Sequence, residues 1–154
     1  MHSDHSRDRA RIDVLNGPNL NRLGTRQPEI YGTTTLAEIE EWCTSSAAPA
    51  EVRFRQSNAE HDLIEWIHDA VDEGVDGIVI NPGAYGFTSI AVVDALKMFA
   101  GPIVELHISN PMQRESYYHT SLVATVATAT IAGLGARGYV VALNAIVDLC
   151  ADRG

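Results

Sequence analysis

Short runs of β-branched and aliphatic residues alternate along this chain with longer stretches in which apolar positions recur every three or four residues, the two periods that separate strands from helices. Ile12-Asp-Val-Leu15, Val52-Arg-Phe-Arg55, Gly77-Ile-Val-Ile80, Ile103 to Ile108 and Thr128 to Ala132 read as five strands. The third is apolar almost throughout, as a parallel strand covered on both faces requires. Helical periodicity predicts a helix from about Thr35 to Ser45. A second runs from an Asn58 N-cap to about Glu73, with the stripe Leu63, Ile64, Trp66, Ile67, Ala70 and Val71. A third follows Ser89 and carries Val92, Val93, Leu96 and Phe99, and a closing helix spans Tyr139 to Cys150.

Strands that alternate with helices mark an α/β domain. The pattern predicts a flavodoxin-like, doubly wound, five-stranded parallel sheet in a three-layer αβα arrangement, whose ligands sit at the carboxyl ends of the strands. The polar loops after the first, third and fourth strands fall at that edge. The first of them, residues 16–32, is rich in Gly, Pro and Asn. It far exceeds the about 2–6 residues usual for such a connection, so it reads as a functional loop, a lid.

A chain of 154 residues with 45% hydrophobic and 20% charged positions builds one domain, residues 11–154, without disulfide or metal staples. Residues 1–10, Met1 to Ala10, hold no apolar run and read as a disordered tail. Cys43 and Cys150 match no metal or redox spacing, and no stretch reaches the ~18 apolar residues of a spanning helix. A cytoplasmic protein with reduced thiols is the expectation. With 11 Lys and Arg against 20 Asp and Glu the net charge is −9, which argues against nucleic acid and anionic membrane as partners. A small anionic substrate stays open.

Gly133-Leu-Gly135-Ala-Arg-Gly138 matches G-x-G-x-x-G, but only 16 residues follow it. A dinucleotide site needs a further strand with an acid about 20 residues on, so this is read as a strand-to-helix turn. His61, Glu65 and His68 share a helix face opposite the apolar stripe, where solvated polar side chains are the rule, and no metal site is expected there. His107 stands two residues after Glu105 near the end of a strand, so both side chains point to one face of the sheet. A carboxylate there orients an imidazole and favours its protonated form, as a general acid requires; a satisfied core histidine is the other reading. Ile108-Ser-Asn110 adds backbone N–H groups suited to an anion. Arg26 and Tyr31 lie among the turn residues of the first loop. A tyrosine titrates at about 10 and serves as a base near neutrality only beside a cation, here Arg26. A packed surface tyrosine with a solvated arginine is the alternative.

Together these segments resemble the type II 3-dehydroquinate dehydratases, or type II dehydroquinases. Val14-Leu-Asn-Gly-Pro-Asn-Leu-Asn-Arg-Leu-Gly-Thr-Arg-Gln-Pro-Glu-Ile-Tyr-Gly32 is similar to the family's first loop, and Ile80-Asn-Pro-Gly-Ala-Tyr85 to its third-strand loop. Val104-Glu-Leu-His-Ile-Ser-Asn110 with Arg114-Glu115 is similar to its general-acid strand, and Ile131-Ala-Gly-Leu-Gly135 with Gly138-Tyr139 to its last turn. The resemblance implies elimination of water from 3-dehydroquinate, a small anionic cyclic β-hydroxy ketone, through an enolate, without cofactor or metal. By the same resemblance Tyr31, with Arg26, is the base; Asn19 holds a water on the enolate oxygen; His107, oriented by Glu105, protonates the leaving hydroxyl. Asn81 and the backbone of Ile108 and Ser109 bind the carboxylate, and Arg114 helps close the lid. Asp94 reaches a neighbouring subunit's site, which implies a homo-oligomer built from trimers, up to a dodecamer.

Two segments depart from the family pattern. It has Thr-His where this chain has Gly86-Phe87, and an arginine where this chain has Tyr118; both family side chains meet ring hydroxyls. Phe87 cannot hydrogen-bond a hydroxyl, and leaving one buried and unpaired costs ~1–3 kcal/mol. Tyr118 offers a hydrogen bond but no charge. Three functions follow: a dehydroquinate dehydratase with altered ring contacts, a paralogue acting on an amino or deoxy analogue of the ring, or a non-catalytic scaffold. Retention of Tyr31, Arg26 and His107 together favours the first.

Overall fold

Five parallel strands, β1 (Arg11–Asn16), β2 (Glu51–Gln56), β3 (Gly77–Asn81), β4 (Ile103–His107) and β5 (Ala129–Ala132), form one sheet in the order β2-β1-β3-β4-β5 in a computed structural model that describes residues 9–153. This is the flavodoxin-like strand order, with the chain reversing direction across the sheet between β1 and β3. Of the tail expected over residues 1–10, residues 1–8 lie outside the described residues. Ala10 already belongs to the fold, its carbonyl accepting from the Glu51 N–H at 2.8 Å.

The helices are α1 (Pro28–Tyr31), α2 (Leu36–Ala47), α3 (Glu60–Glu73), α4 (Tyr85–Thr88), α5 (Ile90–Leu96) and α6 (Gly138–Asp152). Alternation along the strands divides the core in two. Ile12, Val14, Val79, Val104 and Leu106 pack with Ile39 and Cys43 of α2 and Leu143 and Ile146 of α6. On the other side Leu15, Ile78, Ile80 and Ile103 pack with Leu63 and Ile67 of α3 and Val92 and Leu96 of α5. Each such side chain is fully or almost fully buried, and each contributes ~1.5–3 kcal/mol. The one charge buried on β1, Asp13, is held by a two-pronged contact from Arg53 at 2.9 and 2.8 Å.

Several local expectations change. The first loop is partly helical: a 3-10 turn spans Leu20–Arg22, and Tyr31 is the last residue of α1 rather than one of a string of turn residues. Asn58 does not cap α3. Ala59 stands at the N-cap, its N–H taken by Ser57 Oγ at 3.0 Å, while Asn58 Oδ1 accepts from the Asn19 N–H at 2.8 Å. The segment before Ser89, expected as loop, holds the short helix α4, while α5 follows Ser89 as expected, capped by Ser89 Oγ accepting from the Val92 N–H at 3.0 Å. Phe99 lies beyond α5 yet packs in the core. Ile108 and Thr128 fall just outside β4 and β5.

The glycine-rich turn takes left-handed backbone at Gly133 (φ 86°) and Gly135 (φ 67°), which accounts for those glycines by geometry alone. His61, Glu65 and His68 are exposed on α3. Among the described residues no three His, Cys, Asp or Glu side chains gather as a metal site, and no helix is long and apolar enough to cross a membrane.

Candidate active site

The carboxyl ends of β1, β3 and β4 open into a cleft. Asn19, Arg26, Tyr31, Asn81, Phe87, His107, Ile108, Ser109, Arg114 and Tyr118 all line it. Glu105 sits fully buried beside His107. Asp94 is outside the cleft of its own chain, exposed on α5 with its Oδ1 3.5 Å from Lys97 Nζ.

On one wall His107 ends β4 and presents Nε2 to Glu105 Oε2 at 2.7 Å, leaving Nδ1 as the ring nitrogen that can act on a ligand. A lone buried carboxylate tends to its neutral form. Burial does push the Glu105 pKa up, but hydrogen bonds from His107, Ser121 Oγ and Thr130 Oγ1, with the His107 charge, outweigh it and hold the carboxyl below its ordinary value. Thr130 reaches Glu105 because the two are register partners on β4 and β5. Sequence reasoning missed both Thr130 and Ser121 as partners of Glu105, since the pairing exists only once the strand register is known.

Across the cleft, α1 delivers Tyr31 against two guanidinium groups. Arg26 Cζ lies 4.4 Å from the centre of the Tyr31 ring, over its face. The phenolic oxygen instead accepts from Arg114 Nη1 at 3.0 Å, and the same nitrogen donates to Ser109 Oγ at 3.3 Å. Burial lowers the proton affinity of Arg114, but the hydrogen bond to Tyr31 and the negative charge available there outweigh it and raise it above the ordinary value. The cation expected to close the lid is therefore the one bonded to the candidate base.

The floor is a buried chain of hydrogen bonds. Asn81 Nδ2 donates to Tyr139 Oη at 2.9 Å, Tyr139 Oη donates to Asn16 Oδ1 at 2.6 Å, and Asn16 Nδ2 donates to the Arg55 carbonyl at 3.1 Å. Burial raises the pKa of Tyr139, so its neutral hydroxyl can both accept and donate. The chain fixes the Asn81 amide and leaves one of its N–H bonds for a ligand. The loops after β1 and β3 touch directly above it: a Cβ on Gly17 would lie 2.4 Å from the Pro82 carbonyl oxygen, so only glycine fits.

Asn58 braces the first loop. Besides the Asn19 N–H, its Oδ1 accepts from Gln56 Nε2 at 3.2 Å, and Gln56 Nε2 also donates to the Gly17 carbonyl at 3.1 Å. Asn19 itself takes left-handed backbone (φ 70°), which asparagine tolerates. The far wall is aromatic: the Phe87 ring is 5.3 Å from the His107 ring and 5.3 Å from Tyr118, the latter edge-on.

Over most of its length the chain is similar to proteins of one family. The family model for dehydroquinase class II matches residues 10–147. The chain is 54% identical over 138 residues to "3-dehydroquinate dehydratase 2" of Agrobacterium fabrum, covering 88% of this chain and 93% of the relative. It is 52% identical over 135 residues to the 3-dehydroquinate dehydratase of Salinispora arenicola, covering 86% and 94%. Among solved structures it superposes on the type II dehydroquinase of Propionibacterium acnes with TM-score 0.86 and 43% identity, covering 90% of this chain and 96% of that one.

Proposed function

The chain belongs to the class II dehydroquinase family, and from that premise we propose that it is a 3-dehydroquinate dehydratase, a hydro-lyase converting 3-dehydroquinate to 3-dehydroshikimate. The observation that carries the reading is the pairing of a cation-flanked Tyr31 with a carboxylate-held His107 in one cleft. Two guanidiniums stand beside the phenol, one over its ring face and one hydrogen-bonded to its oxygen. As tyrosinate, Tyr31 takes the proton α to the carbonyl; the C–H electron pair moves onto the carbonyl oxygen to give the enolate. Asn19, near that oxygen, holds the water that bonds to it. The enolate re-forms the carbonyl, the C–O bond to the β-hydroxyl breaks, and His107 gives that hydroxyl a proton so that it leaves as water. Glu105 steadies the imidazolium beforehand. Asn81 and the Ile108 and Ser109 backbone hold the substrate carboxylate.

No step in this sequence calls for a cofactor. The product is a cyclic enone of the shikimate series, which fits a role in making aromatic amino acids. The reading extends to a cytoplasmic homo-oligomer built from trimers, up to a dodecamer, with Asp94 of one subunit serving a neighbour's cleft. The relatives, half of whose residues are identical to this chain's, favour dehydroquinate itself over an amino or deoxy analogue and over a scaffold without chemistry.

The test is to incubate purified protein with 3-dehydroquinate and follow the enone absorbance. Turnover that disappears in Tyr31→Phe, with the oligomer intact by size-exclusion chromatography, is the expected result. Turnover only with an amino or deoxy analogue, or with none of these rings, would overturn it, and near-normal activity in Tyr31→Phe would remove Tyr31 as the base.

A further inference from the structure

Tyr118 stands where the family resemblance calls for an arginine, and its ring is turned to a use an arginine could not serve. The Arg114 guanidinium, whose Nη1 bonds Tyr31 Oη, lies with its Cζ 4.9 Å from the centre of the Tyr118 ring and 5.5 Å from that of Tyr31. It is thus packed between two aromatic rings. Tyr118 is in turn fixed: its N–H donates to the Glu115 carbonyl at 2.9 Å, Phe87 meets it edge-on at 5.3 Å, and Tyr117 lies 4.7 Å away. The departures at positions 87 and 118 therefore form one packed unit that ends on Arg114.

We propose that Tyr118 is a positioning residue that, backed by Phe87, holds the Arg114 guanidinium on the hydroxyl of Tyr31. This rests on Tyr31 being the base, as argued above. A second cation at position 118 would repel Arg114 from the place Tyr118 now holds it, whereas an aromatic face attracts it. Other charged or titratable groups around the pair are Arg26 on the Tyr31 ring face, His107 on the opposite wall, Glu115 with Oε2 3.5 Å from Arg114 Nε, and His119, whose Nε2 lies 2.8 Å from the Arg114 carbonyl oxygen. None of them covers the guanidinium face that Tyr118 covers.

The experiment compares the protein with Tyr118→Leu and Tyr118→Phe in two readouts. One is the pH at which the Tyr31 phenolate absorbance develops without substrate, taken as the difference from a Tyr31→Phe background. The other is the acid limb of the pH profile of kcat. In Tyr118→Leu both should move to higher pH by about half a unit, the shift that loss of one exposed cation–π contact produces. Tyr118→Phe, which keeps the ring, should show neither shift. If Tyr118→Leu fails to fold, Tyr118→Gln carries the same expectation. An unmoved absorbance in Tyr118→Leu, or an equal shift in Tyr118→Phe, would overturn the proposal. Because the absorbance needs no substrate, failure here is distinct from failure of the dehydratase reading, which shows as no turnover in the parent.

Discussion

Replacing Glu105 with glutamine removes one charge and little else. Glu105 is fully buried and accepts from His107 and Ser121 on Oε2 and from Thr130 on Oε1. A glutamine can turn its carbonyl to His107 and Ser121 and its NH₂ to Thr130 Oγ1, which accepts as readily as it donates. The fold is therefore kept, and what is lost is the charge beside the imidazolium. A hydrogen bond to a charged group is worth ~1.5–3 kcal/mol, so with a tenfold change per ~1.4 kcal/mol kcat should fall about 10- to 100-fold. The assay is initial-rate enone absorbance across pH for parent and Glu105→Gln. A kcat within threefold of the parent would refute the orienting role. Stability gives an independent reading. The Glu105 pKa is held below its ordinary value of 4.5, so its contribution is fully present above 4.5 and is lost as pH falls through the lower native value. The Tm gap between parent and Glu105→Gln should be widest above pH 4.5 and narrow as the pH falls below it.

Two further substitutions test the scaffold beneath the chemistry. Tyr139→Phe leaves Asn16 Oδ1 and Asn81 Nδ2 buried without their shared partner, which costs ~1–3 kcal/mol and should lower Tm by roughly 3–10 °C while raising KM; calorimetry showing no change would mean that water replaces the hydroxyl. Asn58→Ala frees the Asn19 N–H and Gln56, and should raise KM several-fold with a smaller effect on kcat, at ~1 kcal/mol per lost bond. A normal KM in that variant would show that the first loop holds its shape without the brace.

The sheet and its ligand-binding edge were legible in the sequence because both rest on periodicity: an apolar strand such as Gly77 to Ile80 has few other uses, and parallel order places the polar loops together. The Glu105 and His107 pair was legible for the same reason, since spacing by two puts both on one face. Long-range pairings were not. The Asn58 side chain suits a helix cap, yet its acceptor capacity is spent on Asn19, 39 positions earlier in the chain. Arg114 gave no local sign that it would bond Tyr31, 83 positions away, in place of Arg26, which is nearer in sequence but stacks on the ring. Arginines reach far, and which one takes a hydroxyl depends on loop packing that periodicity does not encode.

The bond from Tyr139 to Asn16 spans 123 positions and joins the first strand to the final helix. Synthesis runs from the other end. A nascent chain that has already produced Tyr31, His107 and Glu105 still lacks the floor that orients Asn81, and the ligand-binding edge is complete only when α6 docks. The cleft is thereby tied to completion of the whole polypeptide: a chain stopped before Gly138 would carry Tyr31, Glu105 and His107 but no Tyr139 to hold the Asn81 amide between them.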